Sequence, residues 1–432
     1  MNESQISIFD LLREKFIITK PIKLIELFAG YGSQALALKY LNVEFTHHKI
    51  CEWAVPSIQA YKDLHFTNDN TDYSQNLKES ELDDILSRLG ISANYNEPMD
   101  YYSISRKSLE WKKQVYNNIQ ATHNLVNIMN VKGKDLDFDN DGTVIMTYSF
   151  PCQDLSLAGK GKGMAKGSGT RSGLLWEIER ILAERERESL PLPNILLMEN
   201  VPQVIGQQNV DDFNKWQLRL EQFGYCNYHQ LLNAKNYGIP QNRNRCFMVS
   251  ILGEYNYNFP KKKKLKLRLN DLLENEVDEK YYLTEKQIID ISNWNAYEKP
   301  LETMEKVDKT GISPTLTTRT GAYAAGMILV KDTENYIQWK EPGKLDLDCR
   351  AFKEDKIAPT TTTTTPKTKI LLNNSQIRKL TPKECWRLMG VKDEDYEKVK
   401  VNQSESSLYH LAGDSIVVNV LEEIFKTIIG ED

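Results

Sequence analysis

Three side chains in this sequence have the types and settings for bond-making chemistry: a cysteine, a carboxylate and a guanidinium. Cys152 lies in Thr147-Tyr-Ser-Phe-Pro-Cys-Gln-Asp154, after an apolar, β-branched run at 143–147 that reads as a buried strand ended by Pro151. That order puts a thiol at the carboxyl edge of a sheet, where open α/β folds bind ligands. A free cysteine is more often a small buried hydrophobe, so its neighbours must decide. Glu199, in Met198-Glu-Asn-Val-Pro202, ends another apolar strand, where a carboxylate could act chemically or merely cap a helix. Gln241-Asn-Arg-Asn-Arg245 alternates its side chains, which sets Arg243 and Arg245 on one face of an entering strand. Ion pairing on the sheet surface is the alternative use for them.

Together the three groups suit one difficult reaction. Carbon 5 of cytosine is a poor nucleophile, but adding a thiolate to carbon 6 makes an enamine whose carbon 5 can attack a sulfonium methyl. An acid at ring N3 and a guanidinium at O2 would absorb the developing charge. A free thiol, with a pKa of about 8.5, is mostly protonated near neutrality. Positive surroundings are therefore expected for Cys152, from Arg245 and from Lys160, Lys162, Lys166 and Arg171 in the acid-free, glycine-rich run 158–176.

A methyl donor needs its own site. Phe28-Ala-Gly-Tyr-Gly32 follows a strand read at 22–28 and opens a helix read at 34–41. Gly30 and Gly32 would let the backbone approach a ligand at a helix N-terminus, although any tight βα turn can need glycine. Glu52 ends the second strand, placed to accept hydrogen bonds from a ribose diol, and Trp53 beside it could stack on an adenine. The turn lacks a full Gly-x-Gly-x-x-Gly pattern, so S-adenosylmethionine fits better than a dinucleotide.

The elements that must position these groups alternate strand and helix up to residue 253, which predicts an α/β fold with a mostly parallel sheet and helices on both faces. A polar, helix-prone stretch at 57–140 reads as a helical insertion. Residues 254–375 are rich in lysine, threonine and asparagine and read as a separate irregular domain. Within it Ser313-Pro-Thr-Leu-Thr-Thr318 and Ala358-Pro-Thr-Thr-Thr-Thr363 resemble each other. A capping-box pattern at Thr381 starts a helix, and an amphipathic helix at 415–429 is expected to return to the first domain.

With 432 residues and a net charge of −5, the chain can hold two domains and is not basic overall. A cluster at Lys261, Lys262, Lys263, Lys264, Lys266 and Arg268 suits phosphate contact or a solvated face. No apolar run approaches the roughly 20 residues of a membrane span. The N-terminus lacks a signal-peptide core, which predicts a cytoplasmic location. Six scattered cysteines with no Cys-x-x-Cys pair predict neither a disulfide framework nor a metal site.

On these residues the chain resembles the bacterial C5-cytosine DNA methyltransferase family, over nearly its whole length except 57–140 and much of 254–375. Residues 26–33 and Glu52-Trp53 match the cofactor motifs, Phe150-Pro-Cys-Gln153 the nucleophile motif, and Glu199-Asn-Val201 the acid motif. Arg171-Ser-Gly-Leu-Leu-Trp-Glu177, Gln241-x-Arg-x-Arg245, Arg378-x-Leu-Thr-x-x-Glu-x-x-Arg-Leu-Met-Gly390 and Gly413-Asp-Ser415 match further motifs in the same order. The wording around Cys152 and Arg171 is most similar to the subgroup containing mollicute CpG methyltransferases.

The resemblance implies a doubly wound, Rossmann-like methyltransferase domain with a second, smaller target-recognition domain. The catalytic domain would be 1–253 completed by 405–432, the recognition domain 254–375, and the organising segment between them 376–404. Cys152 would be the nucleophile, Glu199 the N3 partner, and Arg245, supported by Arg243, the partner of the pyrimidine carbonyl. S-adenosylmethionine, leaving as S-adenosylhomocysteine, would be held by Phe28, Gly30, Gly32, Glu52, Trp53, Pro151, Leu174, Asp414 and Ser415. Asn130, with Asp135 as competitor, would meet its adenine. Double-stranded DNA would be met by Gln153, Ser156, Lys160, Lys162, Arg171, Gln241, Thr317 and Arg319, with the target base flipped out and loop 153–171 closing over it. A monomer is implied, with a restriction endonuclease as the expected companion and protection from restriction as the role. Asp414 departs from the family's asparagine, and Val144 stands near the place of an acid that usually precedes the nucleophile strand. Two other functions compete. A tRNA cytosine methyltransferase is disfavoured by the large recognition insert, and an inactive DNA-binding regulator by the intact Cys152, Glu199 and Arg245.

Overall fold

The computed structural model describes residues 13–155, 163–282, 284, 306–308, 327–329 and 377–430. The chain divides into two compact units. One comprises Met1–Leu232, Asn244–Lys261 and Val420–Asp432, the other Asn233–Arg243 and Lys262–Asn419.

In the first unit a two-residue strand, β1 (Glu14–Lys15), precedes the strands of a six-stranded sheet. These are β2 (Ile22–Leu27), β3 (Phe45–Cys51), β4 (Thr143–Tyr148), β5 (Ile195–Asn200), β6 (Tyr225–Asn233) and β7 (Asn244–Leu252), in the spatial order β3-β2-β4-β5-β7-β6. β1 itself pairs in parallel with β8 (Tyr255–Asn256). The β2–β3, β2–β4 and β4–β5 pairs are parallel, and β7 runs antiparallel to β5. The chain steps outward from β2 to β3, then returns to lay β4 on β2's other side. The order therefore reverses between β2 and β4, and in such sheets the carboxyl edge opens into a crevice at that point. The turn after β2 and the loop after β4 both start there.

Strands β4 and β5 are buried along their whole length, as their mainly apolar sequences suit, with Thr143, Thr147, Glu199 and Asn200 the polar exceptions. One sheet face carries Ile25, Leu27, Val144, Met146, Tyr148, Leu196, Met198, Cys246 and Met248 into the main core. There α6 (Leu175–Arg187) contributes Ile178, Ile181 and Leu182, and α7 (Val210–Gln222) contributes Phe213, Trp216 and Leu220. Trp216 is fully buried and donates its indole N–H to the Tyr148 hydroxyl at 3.1 Å. Because side chains alternate along a strand, Glu26, Thr147 and Glu199 fall on the opposite face.

Ahead of α6, helix α1 (Ser33–Tyr40) follows β2, and α2 (Val55–His65), α3 (Glu79–Leu89), α4 (Tyr101–Ser105) and α5 (Leu109–Ala121) lie between β3 and β4. The helical reading of 57–140 corresponds to α2–α5, which close over their own small core of Ile58, Leu86, Ile91, Ile104, Val115 and Ile119. The end of that stretch does not behave as an appendage. Ile128, Val131, Leu136 and Phe138 enter the main core, and Asn124 bridges in parallel to Ile50 on β3.

In the second unit β9 (Lys306–Asp308), β10 (Met327–Leu329) and β11 (Ile377–Lys379) form a small sheet, parallel between β9 and β10 and antiparallel between β10 and β11. Helices α8 (Pro382–Leu388), α9 (Asp393–Lys400) and α10 (Glu405–Asp414) follow, and the last helix, α11 (Val418–Ile429), belongs from Val420 onward to the first unit. The expected capping box is present: Thr381 accepts from Glu384 N, and Glu384 accepts from Thr381 N. Glu384 also takes two bonds from the buried Arg378 guanidinium, at 2.7 and 2.8 Å. Most of the expected recognition domain at 254–375, including the paired threonine segments, lies outside the described residues.

Candidate active site

The turn after β2 is built to hold a shape that side chains resist. Phe28 has a positive φ of 59°, a left-handed conformation that costs about 1 kcal/mol or more for a residue with a Cβ. It is held because the Phe28 and Ala29 N–H groups both donate to the Cys51 carbonyl, at 2.8 and 3.2 Å. The two glycines differ. A Cβ on Gly32 would lie 2.5 Å from His65 Nε2 and 2.6 Å from Tyr61 Cε2, whereas one on Gly30 would meet nothing within 4 Å. Gly32 is needed for packing, and Gly30 leaves open space.

Glu52 closes this turn. Its Oε2 accepts from Gly30 N at 2.9 Å and its Oε1 from Ala54 N at 2.7 Å. A carboxylate oxygen can accept more than one hydrogen, so the group remains competent towards a ligand's hydroxyls. Trp53 is half-buried beside the α2–α5 core. Beneath the turn Glu26 is fully buried and accepts from the Tyr61 hydroxyl at 2.5 Å and from Ala35 N at 3.3 Å. Burial raises its carboxyl pKa to about 7, against the lowering effect of those hydrogen bonds.

At the other side of the switch point, the nucleophile loop is tied down by its backbone. The carbonyls of Phe150, Pro151 and Cys152 accept from Asn200 Nδ2 (2.9 Å), Ser172 Oγ (2.7 Å) and Leu155 N (3.0 Å). Asp154 is buried and accepts from Arg171 N at 2.8 Å, which joins the two ends of the glycine-rich loop. Cys152 itself is half-buried against the main core, as is Leu174. Gln153 Oε1 accepts from Arg171 Nη1, which also donates to Asn96 Oδ1 at 3.1 Å.

Glu199 is buried, with Arg245 Nε 3.1 Å from its Oε1. The register explains the pair: Glu199 faces Phe247, so Arg245 is its diagonal neighbour on the same sheet face. Arg245 also donates from Nη1 to the Asn244 carbonyl at 2.9 Å. Its guanidinium therefore engages Glu199; the sequence reading set it at the pyrimidine carbonyl and among the positive surroundings of Cys152. Cys246, next in sequence, is fully buried, and its thiol is pushed up to about 12 by burial and by the Glu199 charge. Burial pushes the Cys51 and Cys385 thiols up as well.

Several expected site residues make bonds within the protein. Gln241 was expected on DNA, but it is fully buried and donates to the Leu388 carbonyl at 2.8 Å, so the side chain has no surface for a duplex. Arg243 was expected to support Arg245 at the pyrimidine carbonyl. It is buried instead, and its Nη2 donates to the Gly413 and Ser415 carbonyls at 2.9 and 2.7 Å, so it serves backbone. Ser415 turns its hydroxyl to the Leu411 carbonyl, and Asp414 is exposed with His410 Nε2 3.0 Å away. Asn130 is exposed and donates to the Arg88 carbonyl at 3.4 Å, while Asp135 caps a 3-10 turn through Lys132 N. Ser156, Lys160, Lys162, Thr317 and Arg319 lie outside the described residues. Sequence reasoning missed Asn200 as the tie to the nucleophile loop and Asn124 as a partner of Glu52. Asn200 stood inside the acid motif, so its position beside Glu199 was a usable signal.

Residues 101–430 match the family profile described as C-5 cytosine-specific DNA methylase. The chain is 34% identical over 413 residues to the type II methyltransferase M2.ScrFI of Lactococcus lactis subsp. cremoris, covering 94% of this chain and 98% of that one. It is 31% identical over 422 residues to the orphan methyltransferase M.SssI of Spiroplasma monobiae, covering 95% and 98%. Among solved structures, the Entamoeba histolytica methyltransferase EhMeth is similar with a TM-score of 0.59 at 13% identity, covering 96% of this chain and 99% of that one. The S. pombe Dnmt2 methyltransferase is similar with a TM-score of 0.57 at 16% identity, covering 95% and 98%. These structural likenesses speak to the fold.

Proposed function

The chain belongs to the C-5 cytosine-specific DNA methylase family, and on that premise we propose that it methylates carbon 5 of a flipped-out cytosine in double-stranded DNA through a covalent bond to Cys152. The observation that carries the reading is the Glu199–Arg245 pair beside the loop that presents a half-buried thiol.

In this reading the Cys152 thiolate forms a bond to carbon 6 while Glu199 delivers a proton to N3, so the electron pair of the 5,6 double bond becomes available at carbon 5. Arg245 holds the Glu199 carboxyl in place and offers its remaining N–H groups to O2. After transfer, return of the N3 proton to Glu199, loss of the carbon 5 proton and release of the sulfur restore the ring. Asn200 and Ser172 fix the loop carbonyls, so the thiol meets the ring without first having to be ordered. Cys246 stays protonated and takes no part.

The turn after β2 suits S-adenosylmethionine. The open space at Gly30 admits a ligand, Glu52 can accept from ribose hydroxyls, and Trp53 and Leu174 offer apolar surface. When bound, that cofactor supplies a methyl group on a sulfonium. We further read the protein as a monomer that protects DNA from restriction. Its relatives' names include both a type II and an orphan methyltransferase, so a companion endonuclease is a separate question.

Bisulfite sequencing of DNA from cells expressing the protein tests the reading. Protected cytosines in one short sequence context are expected with the native chain and none with Cys152→Ala. Equal protection by both would overturn it.

A further inference from the structure

Asn124 lies 72 residues from Glu52 in the chain yet holds both polar groups of its backbone. Its Oδ1 accepts from Glu52 N at 3.0 Å, its Nδ2 donates to the Glu52 carbonyl at 2.9 Å, and the same Oδ1 accepts from Val126 N at 2.8 Å. The side chain is buried, so these bonds are shielded from water, and a lost partner would leave a buried backbone group unsatisfied. The amide thus extends the pairing of β3 one residue past its end: Ile50 bridges Asn124, and Leu125 N donates to the Ile50 carbonyl at 2.8 Å. A second strut comes from the same helical segment, where Ser92 N donates to the Trp53 carbonyl and Val55 N to the Ser92 carbonyl, both at 2.8 Å. Between these struts, Glu52 points its carboxylate at Gly30 N and Ala54 N.

We propose that Asn124 is a positioning residue for the cofactor, fixing the peptide of Glu52 so that its carboxylate meets the ribose hydroxyls in one orientation. The inference rests on the reading of Glu52 as the ribose acceptor. It gives the segment between β3 and β4 a task in cofactor binding that its helices alone do not suggest.

The test is a cycle of Asn124→Ala, Glu52→Ala and the double variant in the full chain. It reads S-adenosylmethionine affinity by calorimetry, and kcat and the KM for DNA at saturating cofactor. Asn124→Ala is expected to weaken cofactor binding about tenfold, with kcat and the KM for DNA within about twofold of native. In the Glu52→Ala background the same change should cost less than about twofold, because its effect passes through Glu52. Asn124→Asp, which keeps the acceptor and replaces the donor, should fall between native and alanine. If Asn124→Ala leaves affinity unchanged while Glu52→Ala weakens it, the inference is overturned. It is also overturned if the tenfold loss persists undiminished without Glu52, or if kcat and cofactor affinity fall together as in a loosened fold. If Glu52→Ala itself binds cofactor normally, the ribose reading fails and the inference with it.

Discussion

At the β2–β3 side of the sheet edge, Glu52 is held at both ends: Gly30 N and Ala54 N on its carboxylate, and the Asn124 side-chain amide on its peptide. At the β4–β5–β7 side, Glu199 pairs with the Arg245 guanidinium, and Cys152 sits half-buried on a loop whose carbonyls are tied down by Asn200 and Ser172. The first side suits a ligand that must always be seated alike. The second carries its reacting groups on side chains beside a loop, which suits a substrate that must be extruded and then released. The same contrast recurs among the thiols. Cys246 adjoins Glu199 but is sealed in the core with its pKa pushed up to about 12, whereas Cys152 stands at the loop.

Substitutions on the two sides should separate these roles. The largest effect is expected from Cys152→Ala, with methyl transfer down by about 10⁴-fold or more and cofactor affinity unchanged, as read by tritium transfer and calorimetry. Cys246→Ala should leave transfer near native. A Cys246 variant as inactive as the Cys152 variant would erase the distinction. Glu199→Gln and Arg245→Ala should each lower kcat by roughly 10²–10³-fold, and the double variant should be less impaired than the product of the two, because one pair is being broken.

Two glycines sharpen the cofactor side. Gly32→Ala should cost roughly 2–4 kcal/mol of stability in denaturant unfolding, since its Cβ meets Tyr61 and His65 at a positive φ. Gly30→Ala should cost only about 1 kcal/mol but weaken S-adenosylmethionine binding, since its Cβ would point into open space. Reversed effects would place the ligand on the wrong glycine.

The smallest expected effect concerns Glu26. Its folded pKa is raised to about 7 by burial, so the folded state keeps that proton to higher pH than the unfolded chain does. The stability it contributes is full below the usual glutamate range and is lost as pH rises towards 7. A melting-temperature scan across that window should flatten in Glu26→Gln relative to native.

What could be read in advance follows the same divide. Phe150-Pro-Cys-Gln153 and Glu199-Asn-Val201 were legible because the chemistry needs those residue types at strand ends, and strand ends carry local signals: apolar runs, then proline. The strands read at 22–28 and 143–147 fell within a residue of those observed for the same reason. Asn124 was illegible, because an amide bonding to backbone 72 residues away leaves no local trace. Gln241 and Arg243 misled for a related reason. A polar, alternating stretch reads as surface, yet both side chains are buried on distant carbonyls of Leu388, Gly413 and Ser415. The 57–140 stretch was legible as helical from its helix-prone composition. That its last part joins the main core could not be read from a polar composition.

The covalent step is tested most directly by trapping on duplex DNA whose target cytosine carries fluorine at carbon 5, which cannot leave as a proton does. In the presence of S-adenosylmethionine, the native chain should form one adduct that survives denaturing electrophoresis, with the cross-linked peptide containing Cys152, and Cys152→Ala should form none. An adduct on another residue, or efficient methylation of normal DNA by a chain lacking the Cys152 sulfur, would contradict the account.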